Sequence, residues 1–163
     1  MPAPSPTGFV SLYLDRLATT VANSAAFRTL VGAASVSAAK AFVKCEGTGL
    51  ARPRCIVNYG DNYRLWHRSG GGDVTGRLLA LFEIDVPAAY LNPIDYDAAL
   101  WDFRNTVGTI LQEMHAATRP TAFVDGCLSI AYLELGGEEL LTDPETATQY
   151  LSGLIEIEVQ GAV

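Results

Sequence analysis

Four carboxylates sit in two pairs of identical spacing: Glu83 with Asp85, and Glu156 with Glu158. A spacing of two puts both members of a pair on the same face of a strand. Two acids on one face can share acid–base work or hold a divalent cation. Neither pair has a third partner nearby in sequence, and the solvent-facing half of an alternating strand is the simpler account. The repetition adds a further possibility. If the two strands belong to one sheet, Glu83, Asp85, Glu156 and Glu158 form a single acidic face. Like charges directly opposite one another weaken strand pairing, so such a face should be wet. It is either ordinary in-and-out alternation or a wall that repels a polyanion. A passage for DNA gains from a wall that does not grip phosphates, because phosphate contacts dominate nucleic-acid affinity.

A second constellation is basic. Arg52 and Arg54 flank Pro53, and Arg64 and Arg68 follow near loops. The cluster is too sparse for a nucleic-acid-binding domain, and neither an aromatic RNA-binding motif nor a recognition helix accompanies it. Contact with nucleic acid and contact with an acidic patch on a neighbouring subunit are both open to it.

The remaining chemistry-bearing residues make no motif. His67 and His115 are the only histidines, and neither has a Cys, His or acid at metal-ligand spacing. Cys45, Cys55 and Cys127 are too few and too scattered for a disulfide framework or a zinc site. Cys45 and Cys55, ten apart on consecutive strands, can face each other as a reduced pair. Ser69–Asp73 (SGGGD) lacks the lysine and the following helix of a phosphate loop and reads as a mobile hairpin tip. No nucleophile elbow, zincin motif or dinucleotide fingerprint is present. The expectation is a protein without catalytic, cofactor-binding or metal-binding residues: not an enzyme, and with no cofactor.

The elements that would position these groups are organised around Arg77–Met114. RLLALFEIDV (Arg77–Val86) reads as one long strand. After the loop PAAYLNP comes the strongest helical pattern, in which Tyr96, Leu100, Phe103, Val107, Ile110 and Met114 share one face. Asn92 is a candidate N-cap, Pro93 suits the first helical position, and Asp95 and Asp97 suit the first turn. The helix should end before Arg119-Pro120. Upstream, residues 1–8 with three prolines read as a flexible arm. Phe9, Leu12, Tyr13, Leu17 and Val21 mark an opening helix. Ser24 can cap a short second helix, Ala25–Val31, ended by Gly32. Ala33–Ala39 reads as a connector, Lys40–Cys45 as a strand, Glu46–Pro53 as a loop and Arg54–Tyr59 as a strand. Gly60-Asp61-Asn62 is a turn signal. Tyr63–His67 is a short strand or a strand extension, and the strands on either side of the SGGGD tip pair as a hairpin. Downstream, Val124–Leu135 is a strand closed by Gly136-Gly137, Thr142–Thr148 a turn, and Leu154–Gln160 the last strand. The predicted fold class is α+β: a mostly antiparallel sheet with helices packed on one face, in the order α(α)βββαββ. Residues 9–163 form one domain behind the arm.

A chain of 163 residues, 49% hydrophobic and 18% charged, buries enough surface to fold without metals or disulfides. The N-terminus has no basic and no apolar region of a signal peptide, and no apolar run approaches the ~20 residues of a membrane span. The expectation is a soluble protein made in the cytoplasm. Its net charge of −7 is unevenly spread. Residues 1–82 hold nine of the eleven basic residues and four of the eighteen acids, a balance of +5. Residues 83–163 hold the other two and fourteen, a balance of −12. This is either chance on solvated faces or a subunit with a basic and an acidic side, which suits head-to-tail packing.

The order of elements carries a resemblance. An opening helix, NSAAFRTLVGA (Asn23–Ala33), a strand, RPRCIV (Arg52–Val57), a hairpin, the helix DYDAALWDFRNTVGTILQEM (Asp95–Met114) and a closing pair of strands ending in GLIEIEV together resemble the tail-terminator, or tail-completion, proteins of long-tailed bacteriophages. The resemblance spans most of the chain and rests on element order and length; PAPSPTG and SGGGD have no residue-by-residue counterpart. It implies a small virion subunit, assembled in the host cytoplasm, that forms a homo-oligomeric ring, usually of six copies. The ring caps the tail tube, joins it to the head connector and lets DNA pass its lumen without specific binding. On this reading Arg52, Arg54, Arg64 and Arg68 contact neighbouring subunits or partners, and Glu83, Asp85, Glu156 and Glu158 face the lumen. Another head–tail joining or minor tail protein is the neighbouring alternative. A small ligand-binding or enzymatic domain with a pocket between sheet and helix is the distant one.

Overall fold

The structure, a computed structural model, describes residues 9–45, 49–58, 65–67, 73–86, 93–117 and 129–162. The arm 1–8, Arg64, Arg68, Cys127, Asn92 and the tip 68–72 lie outside the described residues, as do residues 46–48 and 59–64. Along the chain come α1 (Phe9–Asn23), α2 (Ala25–Leu30), α3 (Val36–Lys40), β1 (Val43–Lys44), β2 (Arg54–Asn58), β3 (Leu65–His67), β4 (Asp73–Asp85), α4 (Pro93–Ala117), β5 (Ser129–Thr142) and β6 (Gln149–Ala162). The strands form one sheet in the order β1-β2-β4-β6-β5, with β3 beside the start of β4. The pair β1–β2 is parallel and the others are antiparallel. The fold is thus α+β, a mixed and mostly antiparallel sheet with helices packed alongside.

The core follows from alternation in the strands and from the helix stripes. Leu78, Ala80 and Phe82 of β4 are buried, and their register partners Ile157, Ile155 and Gly153 on β6 are buried with them. Cys55 and Val57 extend this face onto β2, opposite Phe82 and Ala80. The stripe of α4 lands here, with Phe103, Val107, Ile110 and Met114 all at most 1% exposed. Each such side chain contributes about 1.5–3 kcal/mol by leaving water. Gly153 is required by this contact, because a Cβ there would stand 2.8 Å from the Phe103 ring. Tyr13, Leu17 and Val21 of α1 and Phe27 of α2 complete the layer, Phe27 meeting Phe82 edge-on at 5.9 Å between ring centroids.

Local signals explain the short helices. The Ser24 hydroxyl accepts from the Phe27 amide at 3.0 Å and donates to Glu113 Oε2 at 2.6 Å, so it caps α2 and ties it to α4. At the other end Ala33 N–H donates to Arg28 and Gly32 N–H to Thr29, a Schellman ending that needs the positive φ of +67° at Gly32. The stretch expected to be a connector contains α3. Ser35 caps it by accepting from the Ala38 amide, and buried Ala39 anchors it.

Four strands differ from expectation, three of them because a partner strand overrides local sequence. Lys40–Cys45 gives only Val43–Lys44, since α3 takes Lys40. β4 starts at Asp73 rather than Arg77, and β6 runs from Gln149 rather than Leu154, because each pairs with the other from Asp73↔Ala162 to Asp85↔Tyr150. β5 passes straight through Gly136-Gly137 to Thr142, absorbing the mismatch with β6 as register shifts at Ile130/Tyr132 and Leu135/Glu138. The β3–β4 hairpin and the 143–148 turn are where the sequence puts them. Among the described residues no helix is long and apolar enough to cross a membrane.

Candidate interaction face of the sheet

The face of the sheet turned away from Phe82 is built from the other register. Reading from β2 to β5, one row is Arg54, Glu83, Ser152 and Glu139. The next is Ile56, Leu81 and Leu154. Then come Asn58, Leu79, Glu156 and Glu134, and finally Arg77, Glu158 and Tyr132. Ile56, Leu79, Leu81 and Leu154 are partly exposed and lie outside the core cluster. Glu83, Asp85 and Glu156 lie on this face, on neighbouring strands, and Glu158 is the register partner of Arg77.

The arginines and the β4 acids, which the sequence offers as two separate sets, meet here. Arg54 Nε donates to Glu83 Oε2 at 2.6 Å, and its Nη1 donates to the Leu50 carbonyl. Glu83 is only 6% exposed, so its charge is held by that guanidinium rather than by water. Arg52 Nε donates to Asp85 Oδ1 at 2.6 Å and its Nη2 to Asp143 Oδ2 at 2.9 Å. Its guanidinium carbon lies 4.2 Å from the centroid of the Tyr150 ring. This one side chain therefore joins the segment before β2, the end of β4 and the β5–β6 turn.

The electrostatics follow from these contacts. Burial works against the charge on Arg52, but the Asp85 and Asp143 carboxylates outweigh it and raise the pKa. The Asp143 carboxyl is held below its ordinary value by Arg52 first, then by the Glu145 and Thr146 amides that its Oδ1 accepts. Burial, with the Glu83 charge added, pushes the Cys55 thiol well up. Val43, not Cys45, stands opposite Cys55; Cys45 is exposed, and no disulfide joins the two.

The β6–β5 side of the same face is different. Glu156 stands opposite Glu134, and the row that contains them holds no basic residue. Residues 129–162 carry seven acids and no Lys, Arg or His. Glu158 has Arg77 as its register partner on β4. Arg64 and Arg68 fall outside the described residues. Sequence reasoning missed Asp143 and Tyr150 as partners of Arg52. They lie some ninety residues away, and only the β4–β6 register brings them together.

Elsewhere, a groove of about 430 Å³ between α2 and α4 is lined by Ala26, Thr29, Leu30, Asn105, Thr106 and Thr109. Its threonine hydroxyls donate to carbonyls of their own helices. His115 is exposed in the last turn of α4. Among the described residues no three His, Cys, Asp or Glu side chains are grouped as metal ligands would be. The chain matches no protein-family model, and no curated protein is significantly similar to it.

Proposed function

We propose that this chain is a virion structural protein: a tail-terminator-like subunit of a homo-oligomeric ring that caps a tail tube and joins it to the head connector. The observation that carries the reading is the charge polarity of the sheet. The all-acidic β5–β6 hairpin forms one edge and β1, with exposed Lys44, forms the other, while Arg52 and Arg54 beside it are met by Asp85, Asp143 and Glu83 within the subunit. A subunit with unlike sides packs head to tail, and head-to-tail packing closes into a ring when the rotation permits. The element order that resembles tail terminators supports the same reading.

The face bearing Glu156 and Glu158 lines the lumen. Carboxylates there repel the phosphate backbone and let DNA pass without being held. Glu83 and Asp85 belong to the same face, but their charge is met by Arg54 and Arg52 within the subunit. In this reading Glu156 and Glu158 on β6 add to the lumen charge. The protein works by assembly and shape, with no reaction of its own.

Electron microscopy of the purified protein tests this. Closed rings with a central passage are expected, and Glu156→Gln with Glu158→Gln should preserve the rings while altering DNA passage or retention. Failed ring assembly with normal DNA passage would move those acids from the lumen to an interface. A monodisperse monomer that binds a small molecule in the α2–α4 groove would overturn the proposal.

A further inference from the structure

Among the described residues nothing pairs with the outer edge of β5, which is 14 residues long. An edge of that length is a template for another strand unless charged side chains, proline, bulges or brevity blunt it. β5 has neither lysine nor proline and is not short, and its defences are the register shifts at Ile130/Tyr132 and Leu135/Glu138 and the acids Glu134, Glu138 and Glu139. Those acids turn away an acidic strand and favour a basic one. Glu139 is exposed, and next to it Leu140 is 39% exposed, one of two large apolar side chains left so open among the described residues. A ladder edge without a partner among the described residues, the exposed Glu139 and the open Leu140 together describe an unfinished contact.

The chain itself offers the complement. At the far side of the sheet β1 is the terminal strand, and its Lys44 is exposed. Lys40, just before it, is held by Asp15 at 2.7 Å, which leaves Lys44 as the charge presented at this edge. We infer that the β5 edge docks on the β1 edge of a second copy, the sheet continuing across the boundary with Glu139 and Lys44 on its two sides. This rests on the ring reading and names its interface.

Charge decides against the alternative of two β5 edges meeting around a two-fold axis. That arrangement would set Glu134, Glu138 and Glu139 of one copy against the same residues of the other, and like charges opposed across strands destabilise pairing. β1 supplies only two residues of ladder, so the contact leans on charge and should weaken as salt rises.

Charge exchange on the full chain tests the inference. Both positions are exposed, and circular dichroism should show Lys44→Glu and Glu139→Lys folded as the parent. Each single variant should lose association at least about tenfold, read by sedimentation at low salt. Mixed in equal amounts, the two should assemble again, because every contact in an alternating ring then pairs unlike charges. The double variant should assemble alone. If Lys44→Glu associates like the parent while Glu139→Lys does not, or the mixture assembles no better than its components, the β1 assignment is overturned. A parent oligomer unaffected by all three variants overturns the edge pairing while leaving the ring reading standing. A parent that stays monomeric overturns both.

Discussion

On the β2–β4 side of the sheet, Glu83 lies against Arg54 and Asp85 against Arg52. On the β6–β5 side, Glu156 faces Glu134 and the hairpin has no base at all. The two regions share one face and one alternation, yet their acids serve different ends. The first set is consumed in folding: it fixes the strand ends and the segment that enters β2. The second lies on a hairpin that brings no base of its own, and Glu158 has Arg77 of β4 as its register partner.

Removing one partner on the matched side should have the largest effect. Arg54→Met leaves Glu83 buried without its counter-charge and should destabilise the fold by about 3 kcal/mol. Adding Glu83→Met should recover most of that, because two apolar side chains replace the pair. Urea midpoints of the two variants check both statements, and equal loss in single and double variants would show that packing rather than charge is at stake.

Arg52→Gln should cost less, about 1–2 kcal/mol, because Asp85 and Asp143 retain access to water. Its cost should also depend on pH. The folded Asp143 carboxyl titrates below its ordinary value, so the stability it lends is complete above the unfolded value of about 3.9 and is lost as pH falls through the lower folded value. Parent and Arg52→Gln should therefore converge in stability below that range and separate above it. Glu113 follows the same sign. Burial opposes its charge, but the bonds from Ser24 and the first amides of α2 outweigh it, so the parent loses this contribution too on acidification.

The smallest effect belongs to the β6–β5 side. Glu156→Gln removes one of two opposed acids and should leave stability within about 0.5 kcal/mol of the parent. A loss comparable to that of Arg54→Met would show that this acid is structural and erase the distinction between the two regions.

The sequence revealed what local periodicity controls. The stripe Phe103, Val107, Ile110, Met114 and the cap at Ser24 are written in spacing and residue type, and they stand where spacing puts them. The partners of Arg52 and Arg54 are not written there. They depend on the β2–β4 and β4–β6 registers, which place residues 29, 33 and 91 positions apart in contact. Gly136-Gly137 misled for a related reason: a strand tolerates glycines when a long partner pairs across them. The four acids of the candidate face were legible individually, but the pairing of Glu83 and Asp85 with arginines was not. That depends on where the arginines land.

The central claim is that a subunit with an all-acidic hairpin at one edge of its sheet and Lys44 at the other closes head to tail. Native mass measurement of the purified chain at low salt tests it most directly. The account predicts a single discrete multiple of 17.4 kDa, larger than a dimer, that dissociates as salt rises. A lone 17.4 kDa species at every concentration, or a two-fold dimer indifferent to salt, would contradict it.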